Sequence, residues 1–207
     1  MAIDKKVHIM NHAIALFADK GVEGTSIREL AQEANVNVAM INYYFGSKDK
    51  LVEAIIEDKM TYMKDKIEEM LANETLSEIE KIDIIIEGYV TRKLAGAIFN
   101  RFLYKELMDI KSDEIHQLLT KSFATNANNV AAIIEKGIEK KVFKDVDPML
   151  TVASIVGTIS YVMMSKSFCN KLLQKPDSNE PYTDEEFKNR LIKHIQQLIH
   201  AHLLIDK

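Results

Sequence analysis

The chain has 207 residues, 47% of them apolar and 28% charged, which fits a folded globular protein and excludes a disordered one. Seven Gly and three Pro are too few for the turns of an all-β or α/β fold, and the single Cys169 excludes an internal disulfide and suits a reducing, cytoplasmic setting. The formal net charge is −4, and residues 1–50 hold six Lys/Arg against six Asp/Glu, so charge by itself does not point to nucleic acid.

The first predicted element is a helix over residues 4–20. Ile9, Ala13, Leu16 and Phe17, with Met10, lie on one side of it, and Gly21 ends it. Its charged start leads into an amphipathic pattern rather than the apolar core of a signal peptide. Ser26 and Glu29 form the pattern of a capping box, opening a short helix that buries Ile27, Leu30, Ala31 and Ala34. Asn35 sits where the chain must turn, and Asn tolerates the left-handed region. Asn37 caps a third short helix, Val38 to Tyr44, which Gly46 breaks.

Longer helices follow. One runs from Ser47 to about Leu71. A second starts at a Thr75–Glu78 box and continues to about Ile110, with a break expected near Gly96. A third is capped by Ser112 and reaches about Lys141. Asp147-Pro148 opens a fourth, expected to run to about Leu173. Its uncharged stretch, 148–165, carries too many Ser, Thr and Gly for a membrane span and reads as a buried helix at a subunit contact. Residues 174–182 read as a loop, and a Thr183–Glu186 box opens the last helix, to about Ile205. The fold class is therefore all-α, about nine helices, three short and the rest longer, changing character within residues 45–50.

Two short helices joined by a tight turn, over residues 26–45, have the proportions of a helix-turn-helix. In that motif the second helix enters the major groove and the first crosses the phosphate backbone. Val38, Ala39 and Asn42 face outward together while Ile41 and Phe45 face the core. The stretch from Ala15 to Leu51 resembles the N-terminal signature of TetR-family (tetracycline-repressor/AcrR-like) transcription regulators. The resemblance rests on Leu16-Phe17, Gly21, Thr25-Ser26-Ile27-Arg28, Ala31, Ala34, Val36, Tyr44-Phe45-Gly46-Ser47-Lys48 and Leu51. Asn35 and Ala39 stand where the family often has Gly, Tyr43 where it often has His, and Val38 and Met40 where polar residues are common.

The resemblance implies a helix-turn-helix DNA-binding domain over residues 1–50 and a helical effector-binding and dimerisation domain over 51–207. It implies that Ser26 and Arg28 contact phosphates, with Arg28 also able to reach a base, that Tyr43, Tyr44 and Lys48 hold the DNA backbone, and that Asn37 is a further DNA-binding residue. Val38, Ala39 and Met40 make apolar contacts, and Asn42 reads adenine through its amide. One such motif reads only a few base pairs, so a two-fold dimer on a palindromic operator is expected. Ile155, Val156, Ile159 and Met163 on one helix, and Leu191, Ile195, Leu198 and His202 on the last, form stripes suited to that interface. They are equally able to pack within one chain.

An effector site between the middle helices is also implied. Tyr89, Phe99, Phe102, Leu103 and Phe123 form its candidate wall, and Arg92, Asn100, His116 and Asn126 are its polar anchors. The same lining also builds helical cores. The expected effector is apolar or amphipathic, and the expected action is repression of transcription. No catalytic constellation is visible. Cys169 is expected to be buried and inert, and His8 and His12, four residues apart, have no third ligand. Neither a metal nor a cofactor is expected, nor any membrane partner. The competing function is an architectural or partner-binding DNA protein of the same fold without an effector. A helical enzyme or ligand carrier would require no sequence-specific DNA binding.

Overall fold

In the computed structural model most helices start where a short polar side chain takes over backbone donors that the first turn leaves unsatisfied. The structure describes residues 4–108 and 113–205. Helix α1 spans Lys5–Lys20, with the Asp4 carboxylate accepting from the Lys6 amide at 2.9 Å. Gly21 ends it at φ 79°, a conformation that costs glycine little. Helix α2 spans Ile27–Glu33, with Ser26 Oγ accepting from the Glu29 amide at 3.1 Å. The Glu29 carboxylate pairs with the Lys20 ammonium of α1.

Asn35 turns the chain at φ 49°. Helix α3, Val38–Phe45, then starts from the Asn37 side chain, which accepts from the Ala39 amide at 2.9 Å. Gly46 stops it at φ 81°. Helix α4 spans Lys48–Ala72, its first turn capped by Ser47 Oγ accepting from the Lys50 amide at 3.1 Å.

The remaining helices are α5, Glu78–Ala95; α6, Ala97–Met108; α7, Asp113–Glu139; α8, Pro148–Val162; α9, Lys166–Leu172; and α10, Glu185–Leu203. Three expected boundaries move. The box forms on Ser77 and Glu80 rather than Thr75 and Glu78, because Asn73 Oδ1 takes both the amide and the hydroxyl of Thr75, at 2.9 and 2.7 Å. Residues Pro181–Thr183 wind into a 3-10 turn, which leaves Asp184 to cap α10 through the Phe187 amide at 3.1 Å. The helix expected to reach Leu173 stops at Val162. Ser165 Oγ accepts from the Phe168 amide at 3.0 Å and starts α9 at 98° to α8. Ser112, the expected cap of α7, lies outside the described residues. Among the described residues there are ten α-helices, no strand beyond a single bridge between Phe143 and Leu204, and no single helix long and apolar enough to cross a membrane.

The described residues form two compact units. The first holds residues up to Met63 together with Ile98–Phe123. Its core is continuous: Ile9, Ala13 and Phe17 of α1, Leu30 of α2, Ile41 of α3, and Leu51, Ile55 and Ile56 of α4 are buried with Phe102 and Leu103 of α6 and Leu119 of α7. Phe17 and Phe102 have ring centroids 5.8 Å apart, and both rings are completely buried.

The second unit holds Lys64–Ala97 and Ala124–Lys207. There α10 lies along α5, tied by His200 Nε2 to Asp83 Oδ1 at 2.8 Å, above a core that includes Ile82, Ile86, Val90, Ile195 and Ile199.

Truncating Phe102 leaves a cavity against Phe17. Phe102→Ala is expected to destabilise the protein by about 3–5 kcal/mol, read as a lower urea midpoint. A loss under about 1 kcal/mol would mean that the ring is not part of this core.

Candidate nucleic-acid interface and effector residues

The candidate reading surface follows from which side of α3 is buried. Ile41 and Phe45 point into the core. Ala39 and Asn42 are exposed, Tyr43 is 83% exposed, and Tyr44 is at the margin at 38%. The Tyr43 and Tyr44 rings meet edge to face, 5.3 Å apart. Val38 and Met40 are half-buried against the core, so of the three apolar residues expected to face DNA, Ala39 is the one free of packing.

Ser26, Arg28 and Asn37 are exposed around the starts of α2 and α3. The Ser26 and Asn37 side chains spend an acceptor on their own helix, which fixes their positions. Lys48 is placed differently from a solvated lysine. Its ammonium donates to the carbonyls of Val22 at 2.8 Å and Thr25 at 3.3 Å. His8 is half-buried, with Nε2 2.8 Å from the Ala34 carbonyl at the end of α2. His12 Nδ1 lies 2.9 Å from the His8 carbonyl.

A family model for bacterial regulatory proteins, tetR family, matches residues 9–55. "Probable HTH-type transcriptional regulator YttP" of Bacillus subtilis (strain 168) is 30% identical over 142 residues, covering 68% of each chain. The chain belongs to the TetR family of bacterial regulatory proteins. It is a transcription regulator by family and not an enzyme. Two solved TetR-fold structures bear on the architecture. One is the TetR family regulator PfmR from Thermus thermophilus, with a TM-score of 0.73 at 18% identity, covering 96% of each chain. The other is FadR from Bacillus subtilis in complex with stearoyl-CoA, with a TM-score of 0.69 at 18% identity, covering 93% of this chain and 96% of that one. At this identity the likeness is one of fold.

The nine effector candidates divide between the two units. Phe99, Asn100, Phe102, Leu103, His116 and Phe123 belong to the first, and Tyr89, Arg92 and Asn126 to the second. Phe102 and Leu103 are fully enclosed in the first unit's core, and Phe99 and Phe123 are packed against it. Asn100 is buried. His116 is half-buried, and its Nδ1 makes no hydrogen bond.

On α7 of the second unit, Asn126 Oδ1 and Asn129 Nδ2 are buried without hydrogen-bond partners. Such groups cost stability until something bonds them, and a bound small molecule is one way to do so. Asn129 was not among the residues singled out from the sequence, although its spacing of three from Asn126 on a helix was visible there. Tyr89 and Arg92 are partly buried on α5. The Lys93 ammonium lies 5.4 Å from the Tyr89 ring centre, and burial pushes its pKa down to about 8. In the sequence Lys93 passes for an ordinary solvated residue.

The dimer candidates also separate. Ile155, Ile159, Met163, Leu191 and Ile195 are buried within the second unit itself. Val156 and Leu198 are exposed, and exposed His202 has Nε2 3.1 Å from Thr151 Oγ1.

The Lys93 shift makes a signed prediction. The unfolded chain holds this proton up to pH 10.5, the folded chain only to about 8, so the group's cost is full below pH 8 and is relieved as pH rises through that window. Relative to Lys93→Met, the wild-type protein should therefore gain stability between pH 8 and 10.5. Urea midpoints of both proteins at the two ends of the window measure it, and a constant difference would show that the ammonium is not buried in solution.

Proposed function

We propose that the chain represses transcription as a homodimer on a palindromic operator and is released by a small apolar or amphipathic effector. The observation that carries this reading is the outward side of α3, where Asn42 and Tyr43 stand clear of a helix whose other side is seated in a core. Asn42 is suited to pair bidentately with adenine, and Ala39 to meet a thymine methyl. Ser26, Arg28, Asn37, Tyr43 and Tyr44 would set register on the phosphates, with Val38 and Met40 fixing the helix from its edge. Residues 1–50 carry this reading surface, and 51–207 carry the effector and dimer surfaces.

Dimerisation is supported by what α8 leaves uncovered. Leu150, Ala153, Gly157 and Tyr161 recur at helical spacing on its exposed side, with Leu150 66% exposed. A side-chain carbon added at Gly157 would meet nothing within 4 Å in the chain itself. An effector is supported by the unsatisfied Asn126 and Asn129 atoms, and the stearoyl-CoA carried by FadR makes a long acyl-CoA the first compound to try.

Selection from genomic fragments at fixed physiological salt should return one inverted-repeat site, and Asn42→Ala should relax its base preference by about 1–3 kcal/mol at one position per half-site. Recovery of no site by wild-type protein sinks the reading. Stearoyl-CoA should lower affinity for that site, and unchanged affinity discards this compound class. Gly157→Glu should leave the subunit folded, since it replaces a helical glycine in open space, but should shift sedimentation from dimer to monomer. A dimer that persists would place the interface elsewhere.

A further inference from the structure

The ammonium of half-buried Lys48 is turned back onto the protein's own backbone at a place where a DNA contact was expected. Lys48 is the first residue of α4, yet its Nζ reaches back to the chain linking α1 and α2, donating to the carbonyls of Val22 and Thr25 at 2.8 and 3.3 Å. That link is built to present them. Gly21 turns it at φ 79°. The Thr25 amide donates to the Val22 carbonyl at 3.2 Å, and the Thr25 hydroxyl donates to the Gly21 carbonyl at 2.8 Å. Gly24 passes so close to Lys20 that a side-chain carbon there would lie 2.3 Å from its carbonyl oxygen. Thr25 is 1% exposed, so its contribution is internal.

We propose that Lys48 is a positioning residue for DNA recognition, clamping the first turn of α4 to the α1–α2 link so that the reading helices keep their setting on α4. The proposal rests on the DNA-reading function above. Two of the three ammonium donors are committed to carbonyls, and the second of these belongs to the residue just before Ser26, the cap of α2. Any shift of the α4 start therefore reaches the first residue of α2 through two charge-assisted hydrogen bonds. Such a clamp acts on specific recognition, where helix placement decides which base edges are met. Affinity for arbitrary DNA depends on charge, which a charge-neutral loosening of the clamp leaves alone.

The test compares the full-length wild-type protein with Lys48→Met, Thr25→Val and the double variant. Each is titrated across a salt series with the selected operator and with a scrambled duplex, and amide hydrogen exchange is followed without DNA. Lys48→Met should bind the operator about tenfold more weakly, a larger loss than on the scrambled duplex, where only the lost charge counts. Thr25→Val changes no charge and should weaken operator binding in the same way. The double variant should be no worse than the poorer single one, because the two act through one turn. Amides of residues 22–29 should exchange faster in both.

A salt slope shallower by about 0.9 per subunit in Lys48→Met, with Thr25→Val silent, would make Lys48 a phosphate contact and overturn the proposal. Unchanged exchange in residues 22–29 overturns it as well. Wild-type protein that selects no site is the failure of the DNA-reading function, and the exchange measurement then decides the clamp on its own.

Discussion

A helix of seven residues and one of eight cannot hold their shape by themselves, because nucleating so short a helix costs more than its few hydrogen bonds return. Everything about the reading surface depends on how α2 and α3 are seated. They bring Leu30, Ala31, Ile41 and Phe45 to a core supplied mostly by others: Phe17 from α1, Leu51 and Ile55 from α4, and Phe102, Leu103 and Leu119 from much later in the chain. The first compact unit therefore ends not at residue 50 or 63 but takes in 98–123 as well. Whatever moves α6 also moves the floor under α1.

The links between these short helices are held by polar rather than apolar contacts. The Lys48 ammonium, the Thr25 hydroxyl and the His8 ring each bond to backbone carbonyls in the α1–α2 link or at the ends of helices. Such groups add little area to a core but restrict angles, and angle is what groove reading needs. This also explains how a segment with balanced charge can serve as a DNA-binding head. Its recognition chemistry lies in placement, with the outward donors few.

The caps were readable from the sequence because a cap is a local bargain between a side chain and an amide two or three residues on. Ser26, Asn37, Ser47 and Asp147 all cap as their neighbourhoods dictate. Where prediction slipped, a second residue competed for the same partner, as Asn73 did for Thr75. The break at Ser165 lay within a run whose apolar composition continued through it. Periodicity identified the apolar sides of α8 and α10 but not what covers them. Ile155, Ile159 and Ile195 are buried within their own unit, while Leu150 and Leu198 are left exposed. The same limit applies to Phe102, whose aromatic ring fits a pocket wall as well as a core until its neighbour Phe17 is known. The burial of Lys93 and of the Asn129 amide was not legible for a related reason: burial of a polar group is decided by elements distant in sequence.

The separation of duties on α3 has an evolutionary consequence. Ile41 and Phe45 anchor the helix, whereas Ala39, Asn42 and Tyr43 contribute almost nothing to the interior. Substitutions at such exposed positions usually change stability by no more than about 0.5 kcal/mol. On the proposed reading, a lineage can therefore retarget this protein to a new operator by single steps at those three positions, without first acquiring a compensating stabiliser. The fold tolerates drift where the information is written and resists it one residue away.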